Sequence, residues 1–145
     1  MATEENMRLM KMLDEAWNLQ VWDTFNKLHT NDVTVYWPGQ SQPTRGVHIH
    51  QKEAEMFFKA FPDNHIENDP YLVFFGHENW TCSIANFSGT HTGTMVGENG
   101  KTILPTNKKF HIELCTVAHW NNGQIMEEKL FYDLVGLMRQ LGWIQ

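Results

Sequence analysis

The segment from Lys109 to Asp133 constrains the fold more than any other stretch. Two β-rich runs, KFHIELCTVAHW and QIMEEKLFYD, flank Asn121-Asn122-Gly123, and an Asn-Gly pair favours the positive backbone dihedrals of a tight hairpin turn. In the first run His111, Glu113, Cys115, Val117 and His119 alternate with Phe110, Ile112, Leu114, Thr116, Ala118 and Trp120. Strand side chains alternate between faces, so the two sets occupy opposite sides of a sheet. Which side lines an interior stays open at this stage.

The chain before the hairpin mixes periods. Met10, Leu13, Trp17, Val21, Phe25 and Leu28 recur at spacings of three and four, which predicts a long amphipathic helix capped by Thr3 and bent near Asn18. Val33, Val35 and Trp37 alternate up to Pro38-Gly39, a short strand ending in a turn. After Gly46, His50, Ala54, Phe57, Phe58 and Phe61 share one side of a second predicted helix, which Pro62 stops. Tyr71 to Phe75 and Trp80 to Thr94 read as strands joined by a hairpin at Gly76 to Asn79, and GENGKTILPTN reads as a turn-rich connection. Helices followed by antiparallel strands give an α+β pattern. At 145 residues, with no linker or repeat, the expectation is a single domain over 1–145.

Composition narrows the function classes. The eleven Lys and Arg are scattered and the net charge is -6, so nucleic acid is not an expected partner, because neutralising phosphates needs a clustered basic face. No window approaches the roughly 18 apolar residues of a membrane span, and the N-terminal stretch is acidic and amphipathic. The expected location is the cytoplasm, with no membrane partner. Cys82 and Cys115 lack CxxC spacing and read as small core residues. Six Trp, nine Phe, eight Met and eight His exceed what a core of this size needs. A pocket for a flat apolar ligand, a large core or an oligomer interface would each use the surplus.

The histidines raise the question of a metal. His111 and His119 lie about 26 Å apart on an extended strand, and His48 and His50 sit on a predicted helix, so neither pair converges as ligands must. The expectation is no metal site and no cofactor. No nucleophile elbow, phosphate loop or dinucleotide fingerprint is present.

Four motifs carry a resemblance: AFPDNHIE at 60–67, GTHTG at 89–93, PTNKKF at 105–110 and NGQIMEEKLFYDLVGLMRQLG at 122–142. Together, over roughly Leu13 to Gly142, the chain resembles the SnoaL-like polyketide cyclases, also called predicted ester cyclases, within the cone-shaped superfamily named after nuclear transport factor two. The resemblance implies a curved antiparallel sheet wrapped around N-terminal helices, with an apolar pocket inside the cone. It also implies ring closure by intramolecular aldol chemistry without metal or cofactor, using an aspartate that matches Asp133. Two positions depart from the family pattern: Lys129 stands where Trp is usual, and Asn107 where Gly is common in Pro-Thr-Gly.

Asp133 therefore has two roles to choose between. As a base it needs apolar neighbours to raise its pKa; as an N-cap it needs the helix that Leu134, Val135, Leu137, Met138 and Leu141 predict behind it. The direction of its carboxylate separates the two. His91 and His119 are the expected polarising donors for an enolate oxygen, and Trp37, His50, Phe58, Tyr132 and Lys129 the expected substrate contacts. The expected function is a cofactor-free cyclase, lyase or isomerase acting on a small apolar carbonyl compound. The alternative is a non-catalytic binding or scaffold protein on the same cone, and either is expected as a homodimer or larger homo-oligomer.

Overall fold

A computed structural model describes residues 2–97 and 99–145. The N-terminal helical pattern forms two helices, because Gln20 takes a left-handed φ of 56° between α1 (Ala2–Leu19) and α2 (Trp22–Lys27). Thr3 lies inside α1 instead of capping it, and its hydroxyl donates to the Glu78 carbonyl. The start of the helix is thereby tied to a β turn. The elements that follow are β1 (His29–Tyr36), β2 (Thr44–Arg45), α3 (Val47–Ala60), β3 (His65–Glu67), β4 (Val73–His77) and β5 (Trp80–Thr90). After them come β6 (Met95–Val96), β7 (Thr102–Ile103), β8 (Lys109–Asn121), β9 (Gln124–Phe131) and α4 (Leu134–Gln140). The expected strand to Thr94 stops at Thr90, and the turn-rich connection contains the small β6–β7 hairpin.

The main sheet runs β2-β1-β9-β8-β5-β3, with β4 also paired to β5. Its spine is the β5–β8 pair, in register from Trp80 opposite His119 to Thr90 opposite Lys109. Asn122 and Gly123, at φ 50° and 79°, make the tight turn into β9. One pairing is not antiparallel: β1 runs parallel to β9, with Val35 opposite Glu128. Since β9 ends at Phe131 opposite Cys115, the far half of β8 would lose its partner on that side. Gln140 of α4 supplies a substitute, accepting the His111 N–H at 2.7 Å and donating to the His111 carbonyl at 3.2 Å.

The inner face of β8 carries Phe110, Ile112, Leu114, Thr116, Ala118 and Trp120, all buried, and the helices cover it. Aromatic rings then fill the cone. Trp17 packs on Phe25, Phe57 and Phe58, and Phe57 on Phe61, Phe87 and Phe110. Each such side chain contributes about 1.5–3 kcal/mol on burial, so much of the aromatic surplus serves packing. The buried indoles are satisfied, Trp17 by Asn64 at 2.7 Å and Trp120 by Thr81 at 2.9 Å. Cys82 and Cys115 sit half-buried on the outer face with sulfurs 3.9 Å apart, not in the core.

The glycines of GTHTG serve close packing within the protein itself. A side chain at Gly89 would press on the Phe110 ring, and one at Gly93 would overlap the Lys59 carbonyl. Asn107 has φ 59°, a left-handed conformation that asparagine tolerates nearly as glycine does. The departure from Gly at that position therefore preserves the turn. Among the described residues no helix is long and apolar enough to cross a membrane.

Candidate functional site

Three buried polar side chains from separate elements meet inside the cone: His29 at the start of β1, His50 on α3 and Glu128 on β9. His29 follows Phe25 by one helical turn, and its Nδ1 lies 2.7 Å from the Phe25 carbonyl. A carbonyl only accepts, so Nδ1 carries a proton there. Its Nε2 faces Glu128 Oε1 at 3.1 Å, and His50 Nε2 faces the same oxygen at 3.7 Å. Glu128 reaches this position because the β1–β9 ladder is irregular ahead of Thr34 and Glu127, leaving Ile125, Glu128 and Leu130 buried.

A second carboxylate backs the first. Glu53, one turn along α3, faces His50 Nδ1 at 3.6 Å. It accepts from Thr44 Oγ1 at 2.6 Å, Gln40 Nε2 at 2.9 Å and Trp37 Nε1 at 3.1 Å. Burial works against the charge of Glu128, yet contacts from His29 and His50 hold its carboxyl well below the usual range. Burial likewise opposes a charged His50, but the facing Glu128 and Glu53 carboxylates raise its pKa. Glu53 is held low by His50, Thr44 and Gln40 against the same burial penalty.

Asp14 is the contrasting acid. It projects inward from α1 and has one hydrogen-bonding partner among the described residues, the Tyr71 hydroxyl, which donates to Oδ2 at 2.6 Å. Burial dominates, pushing its pKa up to about 7. Asp14, Trp37, His50, Thr116 and Glu128 line one inner cavity of about 40 Å³, whose remaining wall is apolar. Trp37 also lines an outer cleft of about 710 Å³ with Glu53, Phe57, Tyr132, Leu137 and Trp143. The indole therefore stands between cleft and cavity.

Of the residues expected from sequence, Trp37 and His50 belong to this arrangement, and Tyr132 lines the outer cleft, where burial raises its phenol to about 12. Phe58 is buried against Trp17 and Trp22 and faces neither space. Lys129 points outward, over Tyr36 and toward Glu127, because alternation along β9 sends its neighbour Glu128 inward. His119 stacks on Trp80 on the outer face of the sheet, ring centroids 4.2 Å apart, so it cannot polarise a ligand inside the cone. His91 is fully buried between Phe61 and Trp143 and lines neither space. Its Nδ1 accepts from Thr106 N and Trp143 Nε1, both at 3.3 Å, and burial lowers its pKa, so the ring is neutral.

Asp133 is exposed and takes the N-cap of α4, its Oδ1 accepting the Gly136 N–H at 2.9 Å. Phe131, two residues before it, is itself 54% exposed and does not cover it. The carboxylate points along its own helix and away from the inner cavity. The base that the resemblance implies at this position is thus replaced, in geometry, by a cap.

His29, Glu128, Asp14, Glu53 and Tyr71 were not singled out by the sequence. Asp14 had a readable signal, four residues after Met10 on the apolar face of α1. Glu128 had a weaker one, as the second carboxylate of a pair on an alternating strand.

Comparison with known proteins follows the same lines. The SnoaL-like polyketide cyclase family model matches residues 7–141. The chain belongs to this family. Among solved structures, a candidate SnoaL-like polyketide cyclase from Jannaschia sp. CCS1 superposes with a TM-score of 0.84 at 16% identity, covering 99% of this chain and 95% of that one. AclR from Streptomyces galilaeus, described as a candidate hydroxylase, gives 0.80 at 20% identity over 99% of both chains. An NTF2-like protein from Burkholderia xenovorans LB400 gives 0.74 at 13%, covering 96% and 97%. No curated protein matches by sequence. Identities this low show the cone fold, and family membership supports cyclase- or isomerase-like chemistry for this SnoaL-like chain.

Proposed function

We propose that this SnoaL-like protein is a cyclase or isomerase acting on a small, largely apolar carbonyl compound, with Asp14 as general base. The observation that carries the reading is a buried carboxyl poised near pH 7, oriented by Tyr71 and opening on the same cavity as His50. A base whose pKa lies near the operating pH combines availability with driving force. The substrate docks in the outer cleft, which has the volume and apolar lining of a small-molecule site. Its reacting end passes Trp37 once that indole turns aside. Asp14 then takes a proton from the carbon beside a carbonyl, and the enolate oxygen lies toward His50, whose ring carries positive charge readily. In a cyclisation the enolate carbon attacks a second carbonyl of the same molecule, and the new alkoxide recovers the proton.

A second reading, a binding or scaffold protein, is favoured by one observation: the inner cavity holds only about 40 Å³, far less than a substrate. Thermal melting against polyketide, terpenoid and steroid-like carbonyl compounds, with mass spectrometry of the mixtures, decides between the two. A melting shift with a product that Asp14→Asn abolishes, by a factor of about 10²–10⁴, supports the enzyme. A shift without product supports binding, and an unchanged rate in Asp14→Asn removes Asp14 from the mechanism. Self-association is also proposed, through the outer sheet face where Phe75 and Phe131 are each 54% exposed. A monomer by light scattering at micromolar concentration contradicts it.

A further inference from the structure

We infer that His29, His50 and Glu128 form a binding site for a divalent transition-metal ion of the zinc type, with the inner cavity supplying a fourth, solvent-derived ligand. One ring nitrogen from each histidine and one carboxylate oxygen lie within 4.8 Å of one another, and Nε2 is the nitrogen that each ring turns toward Glu128 Oε1. With bonds of about 2.0–2.1 Å, a tetrahedral centre separates neighbouring ligand atoms by roughly 3.4 Å. The observed 3.1 Å and 3.7 Å from Glu128 Oε1 to the two rings straddle that value. The two ring nitrogens lie within 4.8 Å of each other, so the third edge of the set is at most moderately longer than the tetrahedral value.

The surrounding contacts point the same way. Ligand histidines characteristically direct their other ring nitrogen to a carbonyl or a carboxylate, which fixes the tautomer and leaves the lone pair for the metal. His29 does so through Nδ1 to the Phe25 carbonyl, and His50 faces Glu53 with Nδ1. Glu53 is itself fixed by Trp37, Gln40 and Thr44. His29 faces an acceptor on each side, the Phe25 carbonyl at Nδ1 and Glu128 Oε1 at Nε2, and a cation seated between Nε2 and the carboxylate takes both lone pairs. Two imidazoles and one carboxylate suit zinc, cobalt or ferrous iron better than calcium or magnesium, which prefer oxygen. The adjoining cavity, which His50 and Glu128 both line, has room for a bound water.

This site stands apart from the cyclase reading: an ion here would take over the electrophilic role given to His50, but its binding requires no turnover. The test uses the full chain, dialysed against chelator and titrated with zinc chloride and cobalt chloride. One equivalent should bind at micromolar concentration and raise the melting temperature, and cobalt should give the intense visible bands of a four-coordinate centre. Glu128→Gln should weaken binding at least tenfold. Should that variant fail to fold, Glu53→Ala removes the outer carboxylate that faces His50, and a loss of 10–100-fold is expected. His111→Ala and His119→Ala, on the outer face, should leave the affinity unchanged. Less than one equivalent bound, or cobalt spectra that neither Glu variant alters, overturns the site and leaves the cluster as a His–Glu contact inside the core.

Discussion

Asp133 and Asp14 carry the same side chain, yet their surroundings give them opposite chemistry. Asp133 stands at the β9–α4 corner in contact with water, where it accepts the Gly136 amide and starts a helix. Asp14 lies under α1 with only the Tyr71 hydroxyl for company among the described residues, and burial lifts its pKa to about 7. Glu128, equally buried, is driven the other way because two histidines face it. Burial raises a carboxylate's pKa and partners lower it, so the count of partners sets the opposite directions of Asp14 and Glu128. The more conspicuous aspartate in the sequence is the exposed one in the fold, and the less conspicuous one is buried.

The largest expected effect breaks the buried pair. Glu128→Ala leaves His29 and His50 without their shared carboxylate, and removing one member of a buried pair costs about 3–5 kcal/mol. Urea unfolding at pH 7 should show that loss. A cost under about 1 kcal/mol would mean that the cluster is solvated and that the contrast with Asp133 is smaller than the burial implies.

Next in size is the pH dependence that Asp14 imposes. Its folded pKa of about 7 lies above the ordinary value of about 3.9 in an unfolded chain. The protonated form therefore favours the fold, in full below about pH 4, and the benefit is lost as pH rises through 7. Tyr71 faces the carboxyl directly, and Glu15 and Glu128 add repulsion that reinforces the shift. Asp14→Asn mimics the protonated acid. It should be more stable than the parent at pH 8 by a few kcal/mol and flatten the stability curve between pH 5 and 8, while lowering turnover. A variant curve parallel to the parent's would sink the assignment of an elevated pKa.

Much of the fold was legible because local patterns carried it. The Asn-Gly turn and the alternation of β8 gave the central hairpin, and the corner at Asp133 was readable from the helical spacing behind it. The departures have local causes too. Gln20 broke the first helix through a left-handed φ that glutamine does not advertise, and β1 joined β9 in parallel, a pairing between segments nearly a hundred residues apart. That distance explains what was missed in the site. His29, His50 and Glu128 come from well-separated parts of the chain, and no spacing rule links them. Lys129 stands out in the sequence because it replaces the family's Trp, and whether it faces inward cannot be known until something covers the strand. His91 was chosen for its glycine neighbours, which turn out to admit Phe110 and Lys59 of the protein itself.

The smallest effects are expected at the corner, and they separate its two readings most cleanly. Asp133→Ala removes the cap and should cost about 1 kcal/mol, the usual value for losing a side-chain acceptor at that position. Asp133→Asn keeps an oxygen aimed at the Gly136 amide, and asparagine caps as well as aspartate does. Its stability should match the parent within about 0.5 kcal/mol, and any activity found should persist. A base cannot be exchanged in this way, because an amide takes no proton. Asp133→Asn with intact stability but no turnover would return the catalytic role to this corner and require the exposed carboxylate to turn inward when substrate binds. Full activity in Asp133→Asn, beside its loss in Asp14→Asn, would fix the proton transfer inside the cone.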